Sequence, residues 1–234
     1  MGKLGIYLLA NYPTKETFLA AVWACQDLGV DFLEVGFAFS DPVADGDLLE
    51  RASVEVLKRN SVDDFIESFR EARTLFKRNI YLMTYSNIVY SPGFSGFIKR
   101  VAPLSGLILA DLPLREISSF EKHLKGTTLI RFLTPESRAE DISSALRGAK
   151  GFIYFVSKRG TTGGAFGLDD ETREKIARIR GKGVDVFIGF GIQGKADVET
   201  AFGAADGAII GTKAVAELEH GIERFRDFLG SLRG

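Results

Sequence analysis

Four carboxylates stand close together in the segment EVGFAFSDPVADGD, which runs from Glu34 to Asp47. Glu34 lies within the apolar run FLEVG, where a charge is unfavourable unless it is paired or protonated. Partial desolvation would raise the pKa of this carboxyl group, which suits a residue that must hold and release a proton. Glu34 is therefore the first candidate catalytic residue. The alternative is a structural glutamate that hydrogen-bonds to a neighbouring strand.

The other three carboxylates, Asp41, Asp45 and Asp47, lie in a loop-like part of the segment. The sequences SDP and ADGD are typical of turns, so at least one of these residues is expected only to bend or cap the loop. A set of four carboxylates could also hold Mg²⁺. No histidine is near, however, because His123 and His220 both fall in helical patterns far along the chain. We therefore expect two acids for proton chemistry and no metal site.

Glycine-rich segments in the last third of the chain predict an anion site. Each lies at the end of an apolar run: SKRGTTGG (157–164), GFG (189–191) and GT (211–212). Glycine lets backbone amides approach an anion closely, and a helix N-terminus adds free N–H groups. The expected phosphate-binding residues are Gly163, Gly191, Gly211 and Thr212. The competing interpretation is that these glycines only close tight turns between strands and helices.

Eight short apolar runs must position these residues. They are rich in β-branched and aromatic residues and alternate with segments of helical period, as buried parallel strands do. The runs are 4–10, 31–37, 79–85, 105–111, 127–133, 151–157, 184–190 and 206–212. Eight right-handed βα units close most naturally into a barrel, with a doubly wound open sheet as the alternative. We predict an α/β protein with a single (β/α)₈ TIM-barrel domain over residues 1–234.

The mouth of such a barrel is lined by residues at the C-terminal ends of its strands, where active sites on this fold lie. Polar residues at or near predicted strand ends are Tyr85, Asp111, Thr134 and Tyr154. Apolar walls are expected from Tyr7, Phe37 and Met83. A mouth with apolar walls, two acids and a phosphate site suits an aromatic or hydrophobic phosphate ester.

The overall composition argues against several other classes of protein. The 234 residues include 30 Lys and Arg and 31 Asp and Glu, and this balance does not favour nucleic-acid binding through a basic face. One cysteine, Cys25, excludes an internal disulfide. No run approaches the roughly 20 apolar residues of a membrane span, and the first residues are interrupted too early for a signal peptide. We expect a cytoplasmic protein that binds neither nucleic acid nor membrane.

Several segments, in order over nearly the whole chain, resemble the α subunit family of tryptophan synthase. They are EVGFAFSDPVADGD, IYLMTYSN, LADLPL, GFIYFVSKRGTTGG, IGFGI and ADGAIIGTKAV. The resemblance implies a lyase that cleaves indole-3-glycerol phosphate to indole and glyceraldehyde 3-phosphate by a retro-aldol reaction, without a metal or cofactor. It also implies a β-subunit partner that carries pyridoxal phosphate, in an α₂β₂ assembly.

The resemblance also implies roles for individual residues. Glu34 and Asp45 match the catalytic acids, Tyr154 matches an active-site tyrosine, and the four residues of the expected phosphate site match that of the family. Thr162 lies in the loop after strand six, which is expected to close over the substrate together with the loop after strand two. Two alternatives stay open. One is another phosphate-binding barrel, such as a phosphoribosyl isomerase, and the other is a non-catalytic regulatory subunit that activates a β partner.

Overall fold

The computed structural model describes residues 2–41, 46–124, 126–157 and 166–233. Three of the predicted site residues, Asp45, Thr162 and Gly163, lie outside these described residues.

Eight parallel strands form the centre of the structure. They are β1 Lys3–Leu9, β2 Phe32–Gly36, β3 Asn79–Thr84, β4 Gly106–Leu109, β5 Arg131–Leu133, β6 Phe152–Val156, β7 Asp185–Gly189 and β8 Gly207–Ile210. Their order in the sheet is β4-β3-β2-β1-β8-β7-β6-β5. All eight predicted runs contain a strand, although the fifth run, 127–133, contributes only its last three residues.

The two outer strands of that order meet and close the sheet. The Leu107 amide donates to the Thr128 carbonyl at 2.8 Å, and the Ile130 amide donates to the Leu107 carbonyl at 2.9 Å. Leu107 and Leu129 form an isolated parallel bridge between the segments of β4 and β5. The predicted TIM barrel is therefore confirmed, and the open-sheet alternative is wrong.

Helices connect successive strands and surround the barrel. They are α1 Lys15–Asp27, α2 Asp47–Leu57, α3 Val62–Leu75, α4 Ser86–Tyr90, α5 Phe94–Val101, α6 Ile117–Glu121, α7 Ala139–Leu146, α8 Asp170–Ile179, α9 Lys195–Ala204, α10 Thr212–Glu219 and α11 Ile222–Ser231, with a 3₁₀ turn at Leu114–Glu116. Within the described parts of the chain, no helix has the length and apolar character needed to cross a membrane.

Alternation along the strands separates two apolar layers. The layer inside the barrel consists of Phe32, Tyr81, Ile108, Ile130, Phe152, Tyr154, Phe187 and Ile209. Residues on the other face of the strands, such as Leu33 and Val35, pack between the strands and the helices. Glu34 is two residues after Phe32, so its side chain lies on the same face of β2, nearer the C-terminal end of the strand. Its side chain therefore points into the barrel, on the mouth side of the aromatic layer.

Candidate active site

A cavity of about 440 Å³ lies at the C-terminal ends of the barrel strands. The residues that line it are Tyr7, Glu34, Gly46, Asp47, Leu48, Leu49, Met83, Tyr154, Phe190, Gly191, Ile192, Gln193, Ile209, Gly211 and Thr212. They come from strands β1, β2, β3, β6 and β8, from the first turn of α2, and from the turns after β7 and β8. The cavity therefore lies at the end of the barrel where this fold carries its active sites.

Glu34 is the buried acid of this cavity, with 0% of its surface exposed. It lies in register with Tyr7 of β1 and Tyr81 of β3. Among the described residues, neither of its carboxyl oxygens has a hydrogen-bond partner. Burial disfavours the charged form and raises the pKa of Glu34 from 4.5 to about 8. The carboxyl group therefore holds its proton at neutral pH and can give it to a bound molecule.

Tyr7 and Tyr154 place two phenol rings beside this acid. Each ring occupies space that a glycine on the next strand leaves open. A Cβ atom at Gly36 would overlap the hydroxyl and ring of Tyr7, and one at Gly189 would overlap the ring and hydroxyl of Tyr154. Burial, and to a smaller extent the nearby Glu34 carboxylate, raises the pKa of Tyr154 well above its usual value. Its hydroxyl therefore stays protonated.

The turns after β7 and β8 bring backbone amides to the same cavity. Gly191, with φ 82°, follows β7, while Gly211 precedes the first residue of α10, Thr212. The first turn of a helix leaves N–H groups without intrahelical acceptors and carries a partial positive charge. TIM barrels commonly bind phosphate with the loops after strands seven and eight and a short extra helix. This side of the cavity is therefore suited to an anion.

Phe37 does not line the cavity, which corrects the expectation that it forms a wall of the mouth. Phe37 is three residues after Glu34. Because side chains alternate between the two faces of a strand, Phe37 points to the opposite face, away from the barrel interior. There it is 3% exposed and packs against Phe65, Phe69 and Phe97 of helices α3 and α5, with ring centroids 5.6–6.4 Å away.

The other expected mouth residues, Tyr85, Asp111 and Thr134, also do not line the cavity. One carboxyl oxygen of Asp111 accepts hydrogen bonds from the amide and hydroxyl of Ser86 at 2.8 and 2.9 Å, which fastens the start of α4. Tyr85 stacks on Phe39 with ring centroids 4.6 Å apart. The amide of Thr134 donates to the Ser137 hydroxyl within its own turn. The structure thus gives these residues contacts that organise loops.

Several lining residues were missed by the sequence reasoning. Gly46, directly before α2, and Leu48 and Leu49 in the first turn of that helix line the cavity. The turn after β7 contributes Phe190, Ile192 and Gln193. Phe190 could have been predicted as a lining residue, because it lies between Gly189 and Gly191 in the segment GFG. No comparable pattern marks the start of α2, because its approach to the cavity depends on the path of the loop that precedes it.

A metal site is not apparent in the parts of the chain that the structure describes. Within them, no group of three or more His, Cys, Asp or Glu side chains is placed to hold an ion.

Comparison with known proteins was consistent across sequence and structure. The sequence profile of the family "Tryptophan synthase alpha chain" matches residues 2–231. A relative of that name from Synechococcus elongatus is 33% identical over 236 residues, which cover 97% of this chain and 88% of the relative. Another from Clostridium beijerinckii is 34% identical over 229 residues, covering 95% of this chain and 88% of the relative.

Solved structures show the same likeness over the whole barrel. A chain from Mycobacterium tuberculosis tryptophan synthase has a TM-score of 0.86 at 29% identity, covering 99% of this chain and 91% of that one. A chain described with the tryptophan synthase α₂β₂ complex of Pyrococcus furiosus has a TM-score of 0.88 at 26% identity, covering 99% of both chains. The profile match and the identities over nearly the full length lead to one conclusion: the chain belongs to the tryptophan synthase alpha chain family.

Proposed function

We propose that the cavity cleaves indole-3-glycerol phosphate to indole and glyceraldehyde 3-phosphate, the carbon–carbon lyase reaction of tryptophan synthase alpha chains (EC 4.2.1.20) in tryptophan biosynthesis. One observation carries the proposal. A fully buried carboxyl group, Glu34, lines the same cavity as the backbone turns at Gly191 and Gly211. A buried proton donor and backbone turns suited to an anion thus share one cavity, which supports cleavage of a phosphate ester of this kind.

The first step is protonation of the indole ring. The C3 atom of the ring takes the proton of Glu34, whose pKa of about 8 keeps the carboxyl group neutral at the start of the cycle. The glycerol side chain is then bonded to a ring whose C2–N1 unit is electron-deficient. That ring is able to accept the electron pair of the bond.

The second step breaks the bond and restores the acid. The side-chain hydroxyl on the carbon next to C3 loses its proton to the Glu34 carboxylate, and its oxygen becomes the carbonyl oxygen of glyceraldehyde 3-phosphate. The electron pair of the broken C–C bond returns to the ring, which leaves as indole. One proton is given and one is taken, so the enzyme ends as it began.

Positive charge develops at the ring nitrogen when C3 is protonated. A carboxylate that accepts the indole N–H would stabilise this charge. We assign this role to Asp45, which lies outside the described residues. Its neighbour in sequence, Gly46, and the following Asp47 line the cavity, which supports a position of the loop carboxylate near the ring.

The remaining lining residues bind and enclose the substrate in this proposal. Met83, Phe190 and Ile209 offer apolar surface to the indole ring, while Tyr7 and Tyr154 place hydroxyl groups near Glu34. The phosphate binds to backbone amides at Gly191, Gly211 and Thr212. Gly163 and Thr162, from the loop after β6, are proposed to complete this site.

The proposed steps need only proton transfers and hydrogen bonds from this chain, so we propose no cofactor for it. Pyridoxal phosphate belongs to the β subunit, which joins indole to serine. We propose that this chain binds such a subunit in an α₂β₂ assembly and passes indole to it. The description of the Pyrococcus relative as part of an α₂β₂ complex supports this proposal.

Release of indole from indole-3-glycerol phosphate, measured with the purified chain alone and with a β subunit, tests the lyase function. We expect indole and glyceraldehyde 3-phosphate in equal amounts, released faster when the β subunit is present. No release under either condition would contradict the proposal. The non-catalytic alternative predicts acceleration of the β reaction by this chain without any cleavage, and an isomerase predicts no indole at all.

A further inference from the structure

The turn after β7 holds two consecutive residues in the left-handed region. Phe190 has φ 72° and Gly191 has φ 82°. Glycine adopts such angles readily, whereas a side chain with a Cβ atom is disfavoured there. Phe190 lies between Gly189 at the end of β7 and Gly191 in the cavity wall. Contacts outside the turn must therefore hold this peptide in place.

Ser157, directly after β6, supplies those contacts. Its side chain is nearly enclosed, with 4% of the residue exposed. The Ser157 hydroxyl lies 2.9 Å from the Phe190 carbonyl and 3.2 Å from the Gly189 carbonyl, and its amide donates to the Gly189 carbonyl at 3.3 Å. The Phe190 ring also packs edge-on against Tyr154 of β6, with ring centroids 6.0 Å apart.

The peptide between Phe190 and Gly191 connects this hydroxyl to the cavity. In a trans peptide the carbonyl oxygen and the amide hydrogen point in opposite directions. Because the Ser157 hydroxyl fixes the Phe190 carbonyl on the β6 side, the Gly191 N–H must point to the other side. Gly191 lines the cavity on the side that we assign to the anion.

We propose that Ser157 is a positioning residue for substrate phosphate: by holding the Phe190 carbonyl, its hydroxyl aims the Gly191 amide at the anion. The inference rests on the proposed function, since the anion is the phosphate of indole-3-glycerol phosphate. Ser157 itself acts through the turn and does not touch the substrate. Removing its hydroxyl therefore weakens binding of phosphate esters while leaving the indole part of the cavity intact.

The test compares Ser157→Ala with the parent chain by calorimetric titration with glycerol 3-phosphate and, separately, with indole. We expect the dissociation constant for glycerol 3-phosphate to rise about fivefold, the effect of one lost hydrogen bond. Affinity for indole should stay close to that of the parent, and KM for indole-3-glycerol phosphate should rise more than kcat falls. Unchanged glycerol 3-phosphate affinity, or equal loss of both affinities, would overturn the inference.

Two further variants separate positioning from general stability. Ser143→Ala removes a hydrogen bond from the hydroxyl to the Ala139 carbonyl at 2.8 Å, on the exposed face of helix α7. Ser143 does not line the cavity, so this change should leave both affinities unchanged. Phe190→Gly relieves the backbone strain. In that background Ser157→Ala should weaken glycerol 3-phosphate binding much less than in the parent, and an undiminished effect would contradict the role of the strained turn.

The parent chain distinguishes failure of the inference from failure of the proposed function. If the parent binds glycerol 3-phosphate but releases no indole, the lyase proposal is wrong, while the Ser157 comparison still decides the positioning role. If the parent cleaves the substrate and Ser157→Ala binds glycerol 3-phosphate normally, only the positioning role is wrong. If the parent does not bind glycerol 3-phosphate, the turn is not a phosphate site and the inference is overturned.

Discussion

Glu34 has its raised pKa because of its position in the sheet. Glu34 lies on the face of β2 that points into the barrel. Among the described residues, its carboxyl oxygens have no hydrogen-bond partner. Burial is the cause of the shift, so the neutral acid is the stable form up to a pKa of about 8. The buried, neutral carboxyl group of Glu34 can donate a proton. The same burial makes the folded state less stable as the pH rises, because the charged form is disfavoured inside the barrel.

Burial of Glu34 should make the free energy of unfolding depend on pH. The folded state retains the Glu34 proton between pH 4.5 and about 8, whereas the unfolded chain loses it near the lower value. The free energy of unfolding therefore falls as the pH rises through this interval. We expect Glu34→Gln to be close to the parent in stability near pH 5, and more stable by a few kcal/mol near pH 8.5.

Urea unfolding at both pH values measures this difference. The same change at Glu174, on the exposed face of α8, provides the control and should show no comparable dependence on pH. An advantage of Glu34→Gln that is equal at pH 5 and pH 8.5 would show that the carboxyl group is not buried in its neutral form.

Individual residues were predictable from the sequence where chemistry alone marked them. A glutamate inside FLEVG is anomalous whichever way the strand faces, so Glu34 was identified correctly as a residue of the strand interior. Phe37 was not, because both faces of β2 are apolar and the sequence does not show which parity points inward. Asp111 illustrates the same limit, since a carboxylate at a strand end can equally line the mouth or fasten the next loop.

At the scale of elements, helix α10 and the turn after β7 line the side of the cavity that we propose binds phosphate. Both elements were marked in the sequence by glycines at the ends of apolar runs, Gly191 and Gly211, and both glycines line the cavity. The contribution of α2 could not be predicted, since its first turn reaches the cavity only through the three-dimensional path of the loop after β2. Strand β5 was predicted four residues too long, because the first part of that run forms the barrel closure with β4.

Helix α10 offers a test of the anion site that is independent of fold stability. Thr212→Asp places a negative charge at the first residue of the helix, where acidic side chains usually stabilise helices by ~0.3–1 kcal/mol. We therefore expect the melting temperature to be unchanged or higher. The same charge repels phosphate at close range, so affinity for glycerol 3-phosphate should fall about tenfold or more.

The matched control for this substitution is Ala139→Asp, at the first residue of α7, which does not line the cavity. It should leave glycerol 3-phosphate affinity unchanged. If Thr212→Asp also bound glycerol 3-phosphate as the parent does, the N-terminus of α10 would not belong to the phosphate site.

At the scale of the whole molecule, the described residues form one closed barrel with one acid-containing mouth. The sequence predicted this architecture from eight runs of buried-strand character, since the number of βα units leaves few closed arrangements. Association with a second subunit is a property of the surface and of loops around the mouth, for which apolar periodicity gives no signal. The family supplies the expectation of a β partner.

Assembly with a β subunit is therefore a separate prediction. Mixing the purified chain with a tryptophan synthase β subunit should give a species with the mass of α₂β₂, measured by size-exclusion chromatography with light scattering. Elution of the two proteins as separate species at micromolar concentration would contradict the proposed assembly without affecting the lyase reaction of the chain alone.

The role of Glu34 as the acid is tested most directly by the rate of indole release by Glu34→Gln with saturating indole-3-glycerol phosphate. Glutamine has nearly the same size and cannot supply the proton, so we expect turnover to fall about 10²–10⁴-fold. Glycerol 3-phosphate should bind this variant as it binds the parent, which would show that the cavity is intact. Turnover close to that of the parent would contradict the assignment of Glu34 as the acid that cleaves the bond.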